Sequence, residues 1–308
     1  MQATALKAKL DTHPIAGALG AEIEGVDLSR PLDDATLAAV IDAWARHSVV
    51  FFRGQNLTVP QMEEFGRRIG DLSIVFYVNP VENSSHVTRL LRFADAEPGT
   101  RSYGEYWHMD QTIHVEPPKA FLLQSIDCPP YGGDTQFASL YAAYDNLSDG
   151  MKALCDRLVV VHTPGGFFGK GDVKKPLETK GSASQFNRSL TELEGYINQE
   201  VEHPLVCVHP LTGRKHLYMS RNYCVRFKDM TEQESAPILD YLQRHIERPE
   251  FTCRFRWSQG AIALIDNRCT QHFAINDYTG FRREMLRLQI SGEAPVGPAM
   301  PRRLEAAE

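Results

Sequence analysis

Short runs of β-branched and aromatic residues recur along the chain without any βαβ alternation, and this pattern does most to limit the fold. Such runs lie at 120–125, 158–162, 205–209, 216–220, 251–257, 261–265 and 285–290. Their spacing is too wide for a ladder of simple hairpins. Nearer the N-terminus, residues 15–28 read as strand, turn and strand, and residues 48–52 (SVVFF) as a buried strand. Helices are few. Within 32–47, Asp33 or Asp34 can cap a helix whose Leu37, Val40, Ile41 and Trp44 make one apolar face. A second helix is expected over 60–69, with Met62, Phe65 and Ile69 inward and Gly70 ending it. A third, over 231–245, opens on a capping box of Thr231 and Glu234. The expected fold is mainly β with peripheral helices around a double-sheet jelly-roll core that carries insertions.

At 308 residues the chain is long enough for two domains, but one barrel enlarged by insertions also accounts for it. We read a single domain over 1–308, with its core at about 15–292 and a tail at 293–308. Residues 72–104 are irregular and polar, and 165–198 are rich in Gly, Lys and Ser; both are expected to be loop or lid segments beside a functional site. Hydrophobic residues at 43% and charged residues at 23% are ordinary for a globular chain, which excludes wholesale disorder. Acidic residues outnumber basic ones by 39 to 33, so nucleic acid held mainly by phosphate neutralisation is not expected. No apolar run approaches the roughly 18 residues needed to span a membrane, and no signal-type segment opens the chain. A cytoplasmic protein acting on a small molecule is the expectation, with a homo-oligomer left open. The six cysteines form no CxxC pair, so reduced and mostly buried thiols are expected.

The segment YWHMDQT sets His108 and Asp110 two residues apart, which on an extended strand points both side chains to one face. His272 follows the predicted strand at 261–265 and supplies a third donor. Two imidazoles and one carboxylate form a facial triad that leaves three positions of an octahedral ion open, the arrangement of non-haem Fe(II) oxygenases. A His₂Asp zinc site with a bound water would support hydrolysis instead, and residue types alone do not separate the two. Residues Gly132 to Asp134 (GGD) lack the strand, helix and Lys of a phosphate loop and read as a turn. His47, His86, His114, His162, His203, His209, His216 and His245 have no second ligand at useful spacing and are expected to be structural.

Across 15–292 lie the motifs LGAEIEGVDLSRPLDD, VVFFRGQ, WHMDQT, PPYGGDTQFAS, HPLTGRKHLY and DNRCTQHFAINDY followed by RRxMxR. By these the sequence resembles the taurine dioxygenase and 2,4-dichlorophenoxyacetate dioxygenase family of Fe(II) and 2-oxoglutarate-dependent enzymes. It implies iron at His108, Asp110 and His272, with 2-oxoglutarate held by Thr135 and Arg283 and dioxygen as the other cosubstrate. A guanidinium fork suits a carboxylate, and a threonine hydroxyl adds a donor. The implied reaction decarboxylates 2-oxoglutarate to succinate and CO₂ while hydroxylating an unactivated C–H bond. Asp110 argues against halogenation, because related halogenases lack that carboxylate. A biosynthetic tailoring oxygenase that desaturates or cyclises stays open as an alternative. A zinc hydrolase would have no use for Thr135 and Arg283, and a non-catalytic binding barrel would be expected to lack a member of the triad.

The resemblance also places the substrate. Arg287 matches the arginine that binds the taurine sulfonate, which implies an anionic head group. The family's other polar contacts align with Val75, Val78 and Gly104, so taurine itself is a poor candidate. Tyr77, Phe76, Tyr103, Tyr106, Phe167, Phe168 and Tyr223 are candidates for a roomier apolar lining, with Tyr223 the first choice because a family pocket aromatic aligns there. The expected substrate is a sulfonate, sulfate, aryloxy acid or other carboxylate with an apolar body.

Overall fold

The computed structural model describes residues 9–75, 78–96, 104–164 and 199–298. In chain order its elements are β1 (Asp11–Pro14), β2 (Ala21–Glu24), α1 (Asp34–His47), β3 (Val49–Phe52), α2 (Val59–Ile69), β4 (Leu72–Ser73), β5 (Val87–Arg92) and β6 (Ala120–Asp127). Next come β7 (Thr135–Ser139), α3 (Leu140–Asp145), α4 (Asp149–Cys155), β8 (Val159–His162), β9 (Val201–Pro204), β10 (Val206–Val208), β11 (Lys215–Leu217) and β12 (Cys224–Phe227). The last are α5 (Glu232–Ile246), β13 (Thr252–Phe255), β14 (Ile262–Asp266), β15 (Thr270–Ala274) and β16 (Arg283–Ile290).

An eight-stranded sheet runs β1-β2-β3-β14-β6-β16-β4, with β5 also paired to β16. All four residues of β3 are buried because each face of this sheet is covered by a different layer. Val50 and Phe52 meet Val40 and Trp44 of α1 and Met62 and Phe65 of α2, while Val49 and Phe51 point the other way. There they join Phe137, Cys253 and Phe255 of the three-stranded sheet β13-β7-β15. Phe51 stacks on Phe255 with centroids 3.9 Å apart and meets Phe137 edge-on at 5.6 Å. Each buried ring of this kind contributes about 1.5–3 kcal/mol through apolar burial. A third cluster packs α3 and α5 against β8, β10, β11 and β12.

Helix ends follow their sequence signals. Asp33 caps α1 by accepting from Thr36 N, and Thr231 with Glu234 forms the reciprocal box at α5. Two expectations need correcting. The first strand lies at Asp11–Pro14, and the glycine-containing stretch from Ile15 to Gly20 is the turn, closed by Ile15 N donating to Gly20 O at 3.0 Å. Residues 72–104 are also not wholly an irregular excursion, because β5 pairs with β16 along six residues. Its sequence VTRLLR does not alternate apolar with polar, so period-two reading passes over it.

All six cysteines are free, and five are buried. The expected lid at 165–198 lies outside the described residues, while the tail at 293–298 is anchored by Val208 N donating to Val296 O at 2.8 Å. No helix among the described residues is long and apolar enough to cross a membrane.

Candidate metal centre

The triad is assembled by one backbone contact. His108 does not lie on a strand as the HxD spacing suggests. It forms an isolated antiparallel bridge with His272, each N–H donating to the other's carbonyl at 3.1 and 2.9 Å. Asp110 lies in the turn that follows, and the next residue, Gln111, takes a left-handed φ of 53°. His272 follows β14, as expected, and lies within β15, which is held in register by β7 with His272 opposite Phe137.

The ligand atoms of His108, Asp110 and His272 lie within 4.8 Å of one another, and all three residues are buried. Tyr106 O lies 2.7 Å from His108 Nδ1, so that nitrogen carries the proton and Nε2 presents its lone pair. Nε2 faces Asp110 Oδ1 at 3.8 Å. Burial lowers the pKa of His108, and it lowers that of His272 further, with the neighbouring His108 and Arg287 acting in the same direction. Both rings are therefore neutral and able to donate to a metal. His272 Nδ1 and Asp110 Oδ2 are buried without an aligned hydrogen bond, which a cation would satisfy. Arg287 Nη2 does reach Asp110 Oδ2 at 2.8 Å, and we read this as an ion pair by distance without hydrogen-bond alignment. A divalent metal fits this donor set.

Arg283, Met285 and Arg287 alternate onto one face of β16, the face that meets the three-stranded sheet. Arg287 lies with its guanidinium carbon 5.4 Å from the Phe121 ring centre, and Phe121 in turn meets His272. Arg283 lies four residues away, about 13 Å along the strand. Its Nε donates to Gly133 O at 3.1 Å. Gly132 and Gly133 both have positive φ, 73° and 68°, and a Cβ on Gly133 would crowd Arg283 Cδ at 3.2 Å. The second glycine of GGDT therefore lets the arginine dock, while the first makes room for Asp277. Burial pushes the Arg283 guanidinium below its ordinary pKa, the direction expected for a cation awaiting an anion. Thr135 sits on β7 opposite Ala274, on the same face as His272 one strand away. Trp257 Nε1 donates to Thr135 Oγ1 at 2.9 Å, which leaves the threonine proton for an acceptor.

The expected substrate contacts divide. Val75 and Val78 are both buried, and Val78 N donates to Val75 O at 3.2 Å. Gly104 has a φ of 79°, and a Cβ there would meet His108 Cε1 at 3.0 Å, so it is a close-approach position against the metal ligand. Tyr223 is buried in the turn after Ser220, and this turn is tied to both neighbours of His108. Asn222 Nδ2 donates to Trp107 O at 3.1 Å and Met109 N to Ser220 Oγ at 3.4 Å. Phe76, Tyr77, Tyr103, Phe167 and Phe168 lie outside the described residues.

Several of the other histidines have protein partners. His162 Nδ1 lies 2.9 Å from Thr112 Oγ1, His203 Nε2 lies 2.9 Å from Thr112 O, and His245 Nε2 lies 2.9 Å from Ala143 O. His209, Asp266 and Cys269 also cluster, but Arg268 grips both oxygens of Asp266 at 2.9 and 2.7 Å and supplies the positive charge a metal would bring.

Two supporting residues escape a reading of the sequence alone. Trp257 offers no local signal. Asn267, inside the DNR motif, accepts from Asp110 N at 2.8 Å and donates to Asp110 O and Pro118 O at 2.9 Å each. That clamp sets the Asp110 turn. Asn267→Ala is expected to weaken Fe(II) binding by roughly 10–100-fold. Anaerobic metal titration checks this, and an unchanged affinity would make the clamp irrelevant to the ligand.

Known proteins similar to this chain belong to one dioxygenase family. The family described as taurine catabolism dioxygenase TauD, TfdA family matches residues 11–289. An alpha-ketoglutarate-dependent sulfate ester dioxygenase from Pseudomonas putida is 38% identical over 94% of this chain and 92% of its own length. An alkylsulfatase from Acinetobacter baylyi is 33% identical over 94% of this chain and 87% of its own. The crystal structure of a taurine dioxygenase from Burkholderia xenovorans superposes with a TM-score of 0.76 at 34% identity, covering 94% of this chain and 92% of that one.

Proposed function

The chain belongs to the taurine catabolism dioxygenase TauD, TfdA family, and on that premise we propose that it oxidises an anionic sulfate ester or sulfonate with an apolar body. It is a 2-oxoglutarate-dependent dioxygenase that uses Fe(II), 2-oxoglutarate and O₂. We read its two facing sheets as a jelly-roll core of one domain, with His108, Asp110 and His272 as the iron ligands.

His108, Asp110 and His272 would hold Fe(II), and the metal would supply dioxygen activation for the oxidative decarboxylation of 2-oxoglutarate and the oxidation of a C–H bond. The protein's own groups hold and orient the reactants. Tyr106 O and Asn267 fix His108 and Asp110. Arg283 and Thr135 grip the distal carboxylate of 2-oxoglutarate, and Phe121 and Phe137 wall His272 from the packed interior. The single observation that carries the substrate reading is Arg287, buried to 5% exposure beside the metal ligands. Hydroxylation at the carbon bearing the ester oxygen would release sulfate. The names of the two relatives, a sulfate ester dioxygenase and an alkylsulfatase, favour that head group over an aryloxy acid. The hydrolase alternative gains no support, since hydrolysis leaves Arg283 and Thr135 without a task.

A panel of alkyl sulfates, alkyl and aryl sulfonates, aryloxy acids, other carboxylates and taurine tests the reading through substrate-stimulated succinate formation. Alkyl sulfates should stimulate most and taurine little. Arg287→Ala should raise KM for the best substrate by roughly 30-fold or more. A neutral or cationic best substrate would overturn the proposal.

A further inference from the structure

The β5–β16 ladder brings a second arginine to the Arg283 end of the site. Arg92 and Arg283 are direct cross-strand partners, so their side chains leave the same face. Both are buried, at 5% and 8% exposure. Two cations side by side in a dry interior repel, and such a pair is retained where an anion joins it. The guanidinium carbons of Arg92 and Arg283 lie 4.9 and 5.9 Å from the centre of the same Tyr278 ring.

Neither arginine forms an ion pair with a carboxylate among the described residues. Arg92 Nη1 donates to Asn276 Oδ1, and Asn276 Nδ2 in turn donates to Glu105 Oε2 at 2.7 Å, so Glu105 is linked to Arg92 through an amide. Arg92 Nε is a buried donor with no partner.

We propose that Arg92 is a second arginine for the distal carboxylate of 2-oxoglutarate, acting beside Arg283. This rests on the dioxygenase reading above and on the in-register burial of two arginines with no ion-paired carboxylate among the described residues. The position opposite Arg287, at the metal end of the same ladder, is the uncharged Thr88. Arg92 therefore belongs with the distal carboxylate and not with the substrate anion held near the metal.

The test is calorimetric binding to the Mn(II)-loaded protein, using 2-oxoglutarate and 2-oxopentanoate, which has a methyl group in place of the distal carboxylate. Wild type should prefer 2-oxoglutarate. Arg92→Gln should weaken 2-oxoglutarate by about tenfold or more, as expected for loss of a charge-assisted bond, and leave 2-oxopentanoate within about twofold. Its ligand-free melting temperature should be no lower than that of wild type, because one of two repelling charges is gone.

Equal losses for both ligands, or no loss for either, would overturn the role. Should Arg92→Gln not fold, Arg283→Gln decides the matter. With Arg92 still present it should keep a several-fold preference for 2-oxoglutarate, and no preference would overturn the proposal. A wild-type protein that binds neither 2-oxo acid would overturn the underlying dioxygenase reading instead.

Discussion

Asp110→Ala is expected to abolish turnover and lower Fe(II) affinity by more than about a hundredfold, beyond the 10–100-fold that loss of an outer partner costs. The carboxylate is the one anion among the three ligands, and His108 and His272 are held neutral by burial. Removing it leaves two uncharged nitrogens facing Arg287, whose guanidinium lies 2.8 Å from Asp110 Oδ2. A divalent cation would then enter a pocket that is already positive. Asp110→Asn keeps the shape and the turn but not the charge, so it should lose iron nearly as fully. Anaerobic titration with Fe(II) and 2-oxoglutarate, followed by the weak visible charge-transfer band of a chelated ferrous centre, reads this directly. A band that persists in Asp110→Ala and in His108→Ala would remove the triad from its assigned role.

That triad was legible in the sequence because its chemistry is local at two of three positions and sits in quotable motifs. Its geometry was not. The HxD spacing implies a shared strand face, whereas the shared face comes from the His108–His272 bridge and a turn with Gln111 in the left-handed region. The strand carrying His272 reads TQHFA, and its partner β7 reads TQFAS. Both bury polar residues that period-two reading assigns to solvent. Three of the five described helices, α1, α2 and α5, are legible within a residue or two because their caps and apolar faces are local signals, whereas the short α3 and α4 are not. β5 was not read at all, since its burial comes from β16 almost two hundred residues later. For the same reason Arg92 drew no notice, and Asn267 and Trp257 show their use only through partners distant in sequence.

Arg283→Ala should raise the 2-oxoglutarate requirement far more than the iron requirement. The side chain is buried, its Nε donates to Gly133 O, its guanidinium also meets the Tyr278 hydroxyl, and no carboxylate among the described residues pairs with it, so it is placed to grip one. Truncation removes that grip and leaves the cosubstrate's distal charge less paired in a dry cleft, a loss of about 2–5 kcal/mol, or roughly 30-fold to several thousandfold in affinity. Thr135→Val should cost less, about 1 kcal/mol, because it removes a single neutral donor. The Fe(II) titration of Arg283→Ala should stay within about twofold of wild type, since Arg283 lies about 13 Å along β16 from Arg287, the strand residue that touches the triad. Comparable losses in the iron and 2-oxoglutarate titrations would mean that Arg283 supports the whole site structurally. A selective loss would establish that one face of β16 divides its labour, with one arginine for the cosubstrate's far end and the other for the anion beside the metal.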